Sequence, residues 1–170
     1  TLRSDDFHSP LAEKVDLVII ADDAGVSMGG APGGRGPVRP EYAYTPTPED
    51  LQAFERFIRG GGTLVCLNSA TAFAIQLLRL PVKSDVGSLR SESFFLRGSI
   101  VRVTTDPAHP IMAGMPGQAA VFADGSPAFE TLDGFAGSVL ARYQESGSPL
   151  LSGYLIGEKH LHGKAAALDV

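Results

Sequence analysis

The stretch from Thr47 to Leu78 constrains the fold more than any other part of the sequence. Thr47-Pro48-Glu49-Asp50 reads as an N-cap, a proline at the first helical position and acids in the first turn. Leu51, Phe54, Phe57 and Ile58 then recur on one helical face. Gly60-Gly61-Gly62 stops the helix, since glycine tolerates a left-handed cap. Thr63–Leu67 is a short buried strand, Asn68–Thr71 a tight turn, and Ala72–Leu78 a second apolar helix. Upstream, Val15–Ala21 is β-branched and nearly continuously apolar, the pattern of a strand buried on both faces of a parallel sheet. Strand, helix, strand, sharp turn, helix is a βαβα unit, which predicts a parallel sheet with right-handed crossovers.

The rest is less regular. Residues 25–40 form a Gly/Pro loop that matches neither a P-loop nor a dinucleotide fingerprint opening a helix. Its prolines remove the N–H donors a phosphate cradle needs, so it reads as a surface loop. Ser99–Thr104 alternates like a strand with one wet face. Asp106–Pro116 is a proline-broken connection, and Ser138–Tyr143 is another strand. Leu150–Tyr154 and Gly163–Val170 read as the two arms of a hairpin around Gly157-Glu-Lys-His. The chain thus reads as one domain over residues 1–170 with a β-rich part after about residue 85.

Composition bounds the function. At 170 residues and 44% hydrophobic content the chain has enough apolar material for a sizeable core. Its formal net charge is −5 and its lysines and arginines do not cluster, which argues against nucleic acid or an anionic membrane as partner. No run approaches about 18 consecutive apolar residues, so no membrane span is expected. Cys66 is the single cysteine, which excludes an intramolecular disulfide and leaves both exported and cytoplasmic locations compatible. The sequence starts at Thr1 and its last residues read as part of a strand, so both ends suggest a piece of a longer protein.

Few residues offer chemistry. Ser69 stands on the strand-to-helix turn, the position of a nucleophile elbow, where helix N–H groups point at a raised side chain. Its flanks, Leu67-Asn68 and Ala70-Thr71, lack the elbow's glycines, and a serine there equally serves as N-cap of the next helix. Asp22 and Asp23 end the first strand at the edge where open α/β sheets hold ligands. With Asn68 and Ser69 they define a candidate ligand crevice, although acidic residues also simply terminate strands. Cys66, inside a strand, reads as core. Among the histidines, His160 and His162 would share one face of a strand, a spacing two metal ligands can use, but no third ligand is identifiable. Glu158 with either of them is a candidate acid–base pair for Ser69. His109, between prolines, reads as packing a turn. The fourth histidine is His8.

Three stretches in order carry a resemblance: Tyr44–Leu51, Phe57–Val65 and Asn68–Ala74. Asp106–Pro116, Ser126–Phe129, Ala141–Tyr143, Ser152–Gly157 and Gly163–Ala166 add to it. The arrangement is similar to the class I glutamine amidotransferase-like domain, in the version attached C-terminally to bacterial zinc carboxypeptidase-like proteins. The resemblance implies a flavodoxin-like, three-layer α/β sandwich with a mostly parallel sheet. It also implies an elbow cysteine served by a histidine and a glutamate near the C-terminus. Here Ser69 takes the elbow position, Cys66 does not match it, and His109-Pro110 is followed by Ile111 rather than glutamate. The expectation is therefore a non-catalytic accessory domain without cofactor, whose partner is the peptidase domain of the same polypeptide. The parent's zinc would lie there, because this chain has no His-x-x-Glu. The alternative is a serine-dependent amide or ester hydrolase using Ser69 with His160 or His162 as base.

Overall fold

The computed structural model describes residues 2, 5–6, 9–22 and 46–170. His8, Asp23 and the loop 25–40 lie outside the described residues, as does the start of the Tyr44–Leu51 stretch. The chain divides into two compact units, Thr1–Leu80 and Pro81–Val170.

The first unit contains strand β1 (Leu17–Ile20), helix α1 (Pro48–Arg59), strand β2 (Thr63–Cys66) and helix α2 (Thr71–Leu78). α1 starts where its cap predicts. The Asp50 N–H donates to Thr47 Oγ1, and the Thr47 N–H donates back to Asp50 Oδ2, closing a capping box. The helix stops at the glycines, with Gly61 at φ +97°. β1 and β2 pair in parallel, Leu17 beside Thr63 and Ile20 beside Cys66. One face of the pair carries Val18 and Ile20 onto Phe54, Phe57, Ala70 and Phe73, with Leu11 beneath. Phe54 and Phe73 meet edge to face at 5.5 Å between ring centroids. The other face is open. Leu17 and Ile19 are 46% and 59% exposed, so the expectation of a strand buried on both faces is corrected.

The second unit overturns the mostly parallel, flavodoxin-like sandwich. Its strands are β3 (Val82–Lys83), β4 (Phe95–Thr105), β5 (Gln118–Ala123), β6 (Glu130–Thr131), β7 (Ser138–Tyr143), β8 (Leu150–Ile156) and β9 (Ala165–Asp169). β3 pairs with β6, and the larger sheet runs β5-β4-β7-β9 with β8 also on β4. Every pairing in this unit is antiparallel. Only β1–β2 is parallel among the described residues, so strands and mostly antiparallel sheets dominate. The physical reason is the connections. A parallel neighbour needs a crossover of a dozen or more residues, as a rule a helix. After α2 only short 3-10 turns and Gly/Pro turns link the strands.

The hairpin of the last two strands is also corrected. β8 lies on β4, with Leu96 beside Leu155, whereas β9 lies on β7. The alternation of Ser99–Thr104 stands as read. Val101 and Val103 face the core and Arg102 faces solvent. That core gathers Leu96, Val101, Val103, Ala123, Tyr143 and Leu161.

Candidate functional site

The C-terminal ends of β1 and β2 bring together three of the residues singled out from the sequence. Asp22 follows β1, and Asn68 and Ser69 follow β2 one strand over. Ser69 Oγ donates to Asp22 Oδ1 at 2.6 Å, and the Ser69 N–H donates to the same oxygen at 3.1 Å. Asn68 Nδ2 donates to Asp22 Oδ2 at 3.1 Å. One carboxylate therefore gathers three donors across the strand ends. The short Oγ–Oδ1 distance is that of a charge-assisted bond.

The turn is a single 3-10 turn, Asn68–Ala70, feeding directly into α2. Its strained residue is Asn68, at φ +46°, not Ser69. Asparagine tolerates that left-handed conformation better than most residues do. Ser69 is not the N-cap of α2. That position falls to Ala70, with no side-chain bond, while Thr71 Oγ1 donates to Asn68 O at 2.6 Å. The hydroxyl of Ser69 serves Asp22 instead. A serine hydroxyl has one proton to donate. With that proton on Asp22, the Oγ has none to give an imidazole in this arrangement.

Cys66 sits just before the turn and packs against the first unit's core. Burial pushes its thiol up to about 11, a hydrogen bond from the Ala74 backbone pulling weakly the other way. At neutral pH it is a thiol, not a nucleophilic thiolate. This agrees with the core reading.

His160 and His162 belong to the second unit and are not on a strand. A 3-10 turn, Glu158–His160, precedes His162, so the shared strand face does not exist. His160 meets Phe94 edge to face at 6.1 Å, and His162 Nε2 lies 2.8 Å from Gly147 O. His109 does cap a turn. Its Nδ1 accepts from the Ile111 N–H at 3.3 Å, while Nε2 lies 3.4 Å from Asp169 Oδ2. Among the described residues, no group of three or more His, Cys, Asp or Glu is placed to hold a metal ion. Among them also, no helix is long and apolar enough to cross a membrane.

A second constellation has no local signal in the sequence. A groove of about 370 Å³ in the second unit is lined by Phe129, Glu130, Arg142, Glu145, His162 and Lys164. Glu130 accepts from Lys164 Nζ at 3.1 Å and pairs with Lys83 at 3.4 Å. These two lysines hold its carboxyl below the usual carboxylate range. Arg142 Nη1 donates to Gly163 O at 2.9 Å. Of these residues the sequence marks only His162 as a candidate for chemistry. Glu130 lies on β6 and Arg142 on β7, while Phe129, Glu145 and Lys164 flank β6, β7 and β9, an adjacency that no local pattern announces. Set against known proteins, the chain matches no family model, no curated protein and no solved structure.

Proposed function

We propose that this chain is a non-catalytic, glutamine amidotransferase-like accessory domain of a larger zinc carboxypeptidase-like protein. In this reading zinc and peptide hydrolysis belong to the peptidase domain of the same polypeptide, which is also this domain's partner. The observation that carries the non-catalytic part is the Ser69–Asp22 bond. The elbow hydroxyl spends its one proton on a carboxylate that also holds Asn68 and the turn's backbone. The group fastens the strand ends rather than arming a nucleophile.

Two further features support the reading. The stretches that carry the resemblance fall on the α1 cap, the α1-to-β2 link and the β2-to-α2 turn, where the observed order is β, α, β, α. The open face of β1–β2, with Leu17, Ile19 and the following Leu67 exposed, suits a domain carried beside another.

Two measurements test it. An immunoblot of source cells against this domain should show a band several times larger than 17.8 kDa. A band at 17.8 kDa removes the accessory reading. The purified chain should leave a panel of glutamine, amide and ester substrates untouched. Turnover that Ser69→Ala abolishes would instead establish the serine hydrolase.

A further inference from the structure

The groove of the second unit holds two opposite charges that do not pair with each other. Arg142 reaches Gly163 from its carbonyl side, using one N–H of the five its guanidinium carries. Glu145 lies against the Cα of the same glycine. A Cβ built there would stand 2.5 Å from Glu145 Oε2 and 3.2 Å from its Cδ. Among the described residues Glu145 has no hydrogen bond or ion pair, and none joins it to Arg142. The other charges are already matched, since Glu130 takes both Lys164 and Lys83. What remains uncommitted is one carboxylate and most of one guanidinium fork, flanking one glycine. Beside them lie the buried Phe129 and Ala165.

We propose that this groove binds a small zwitterion of the α-amino-acid class. The ligand carboxylate lies on the Arg142 fork, which matches a planar carboxylate in a two-bond geometry. The ammonium lies on Glu145, and an apolar side chain rests toward Phe129. A multiply charged anion such as phosphate is disfavoured, because Glu145 and Glu130 face the same space. A divalent cation lacks a third ligand among the described residues. The proposal uses no residue of the Asp22–Ser69 site and stands or falls apart from the accessory reading.

The test is a nuclear magnetic resonance titration of the whole 15N-labelled chain. Free L-leucine is the probe. N-acetyl-L-leucine removes its ammonium and L-leucinamide its carboxylate. L-leucine should give saturable shifts at Arg142, Gly163 and Lys164, with Kd on the order of 1 mM, a usual scale for so small a ligand. Each single-charge analogue should bind about tenfold more weakly. Arg142→Gln and Glu145→Gln should each weaken L-leucine about tenfold while leaving the spectrum's dispersion intact, since both side chains are exposed. Glu145→Gln should also erase the preference for L-leucine over N-acetyl-L-leucine, a result that mere structural damage would not produce. Absence of saturable shifts with L-leucine overturns the proposal. So does equal binding of L-leucine and both analogues by the native chain, which would mean apolar contact alone.

Discussion

Asp22 joins residues 46 and 47 positions away in sequence, and it does so with both carboxylate oxygens. Each net hydrogen bond contributes roughly 0.5–1.5 kcal/mol. The site is exposed, so the low end applies, and Asp22→Ala should cost about 1–2 kcal/mol, read as a lowered urea midpoint at unchanged slope. Asn68 separates side-chain from backbone effects. Asn68→Gly and Asn68→Ala both lose the bond to Asp22, but at φ +46° only alanine carries a Cβ that makes this left-handed conformation costly. Alanine should therefore be the less stable of the two by about 1 kcal/mol; equal midpoints would show that the turn relaxes. Cys66 gives a pH signature. Its folded thiol titrates near 11, above its ordinary 9.0. The folded state thus keeps a proton that the unfolded chain releases first. The resulting stability is complete below about pH 9 and is lost as pH rises toward 11. Tyr143, pushed up to about 12 by burial, acts in the same sense at higher pH. Between pH 8 and 10.5 the native chain's urea midpoint should fall more than that of Cys66→Ala. Parallel falls would mean that the thiol is not shielded.

At the scale of elements, α1 was legible because its signals are local. Thr47→Ala should cost about 1 kcal/mol by opening the capping box, and Thr47→Ser should recover most of it. Circular dichroism melts of the two variants read this directly. The strands of the second unit were legible one at a time. Ser138–Tyr143 matches β7, and the alternation in β4 gives its inner residues. Their partners were not legible, because a period of two says which face a residue takes and not which strand lies beside it. The two arms read as a hairpin show the difference. β8 goes to β4 because Leu155 and Leu150 reach the core beside Leu96 and Val101, an arrangement set by residues some 50 positions away. A buried serine fixes that pairing. Ser99 Oγ accepts from the Tyr154 N–H and has its one proton within reach of both Arg97 O and Tyr154 O, bridging the register shift between the strands. Gly153 lies over it at φ +102°, and a Cβ there would meet Ser99 Oγ, Cα and Cβ at 2.5, 2.8 and 2.9 Å. Gly153→Ala combines backbone strain with collision against main chain, so it should cost at least about 2 kcal/mol. A thermal midpoint within a degree or two of the native one would show that β8 slides to make room.

At the scale of the whole chain, the meeting of Asp22, Asn68 and Ser69 was legible because parallel strands place their C-terminal ends side by side. The antiparallel groove was not, since it needs the register of strands far apart in sequence. This contrast has an energetic counterpart. In the first unit, β1 and β2 have only each other as neighbours among the described residues, and one face of the pair meets solvent through Leu17 and Ile19. Such a pair is marginal unless helices cover it, and here α1 and α2 cover one face. In the second unit β4 has neighbours on both edges, and Val101 and Val103 are essentially inaccessible. Opening β4 breaks pairings with β5, β7 and β8 at once and exposes the centre of the core. Opening β1 breaks a single four-residue ladder. Hydrogen exchange follows local opening free energy. Amides of β4 that bond within the sheet should therefore exchange slowest in the chain, and those of β1 and β2 measurably faster, with a step across Leu80–Pro81. Equal protection in β1 and β4 would mean that the chain opens as one cooperative unit. In that event the exposed Leu17 and Ile19 would not mark a weaker part of the fold.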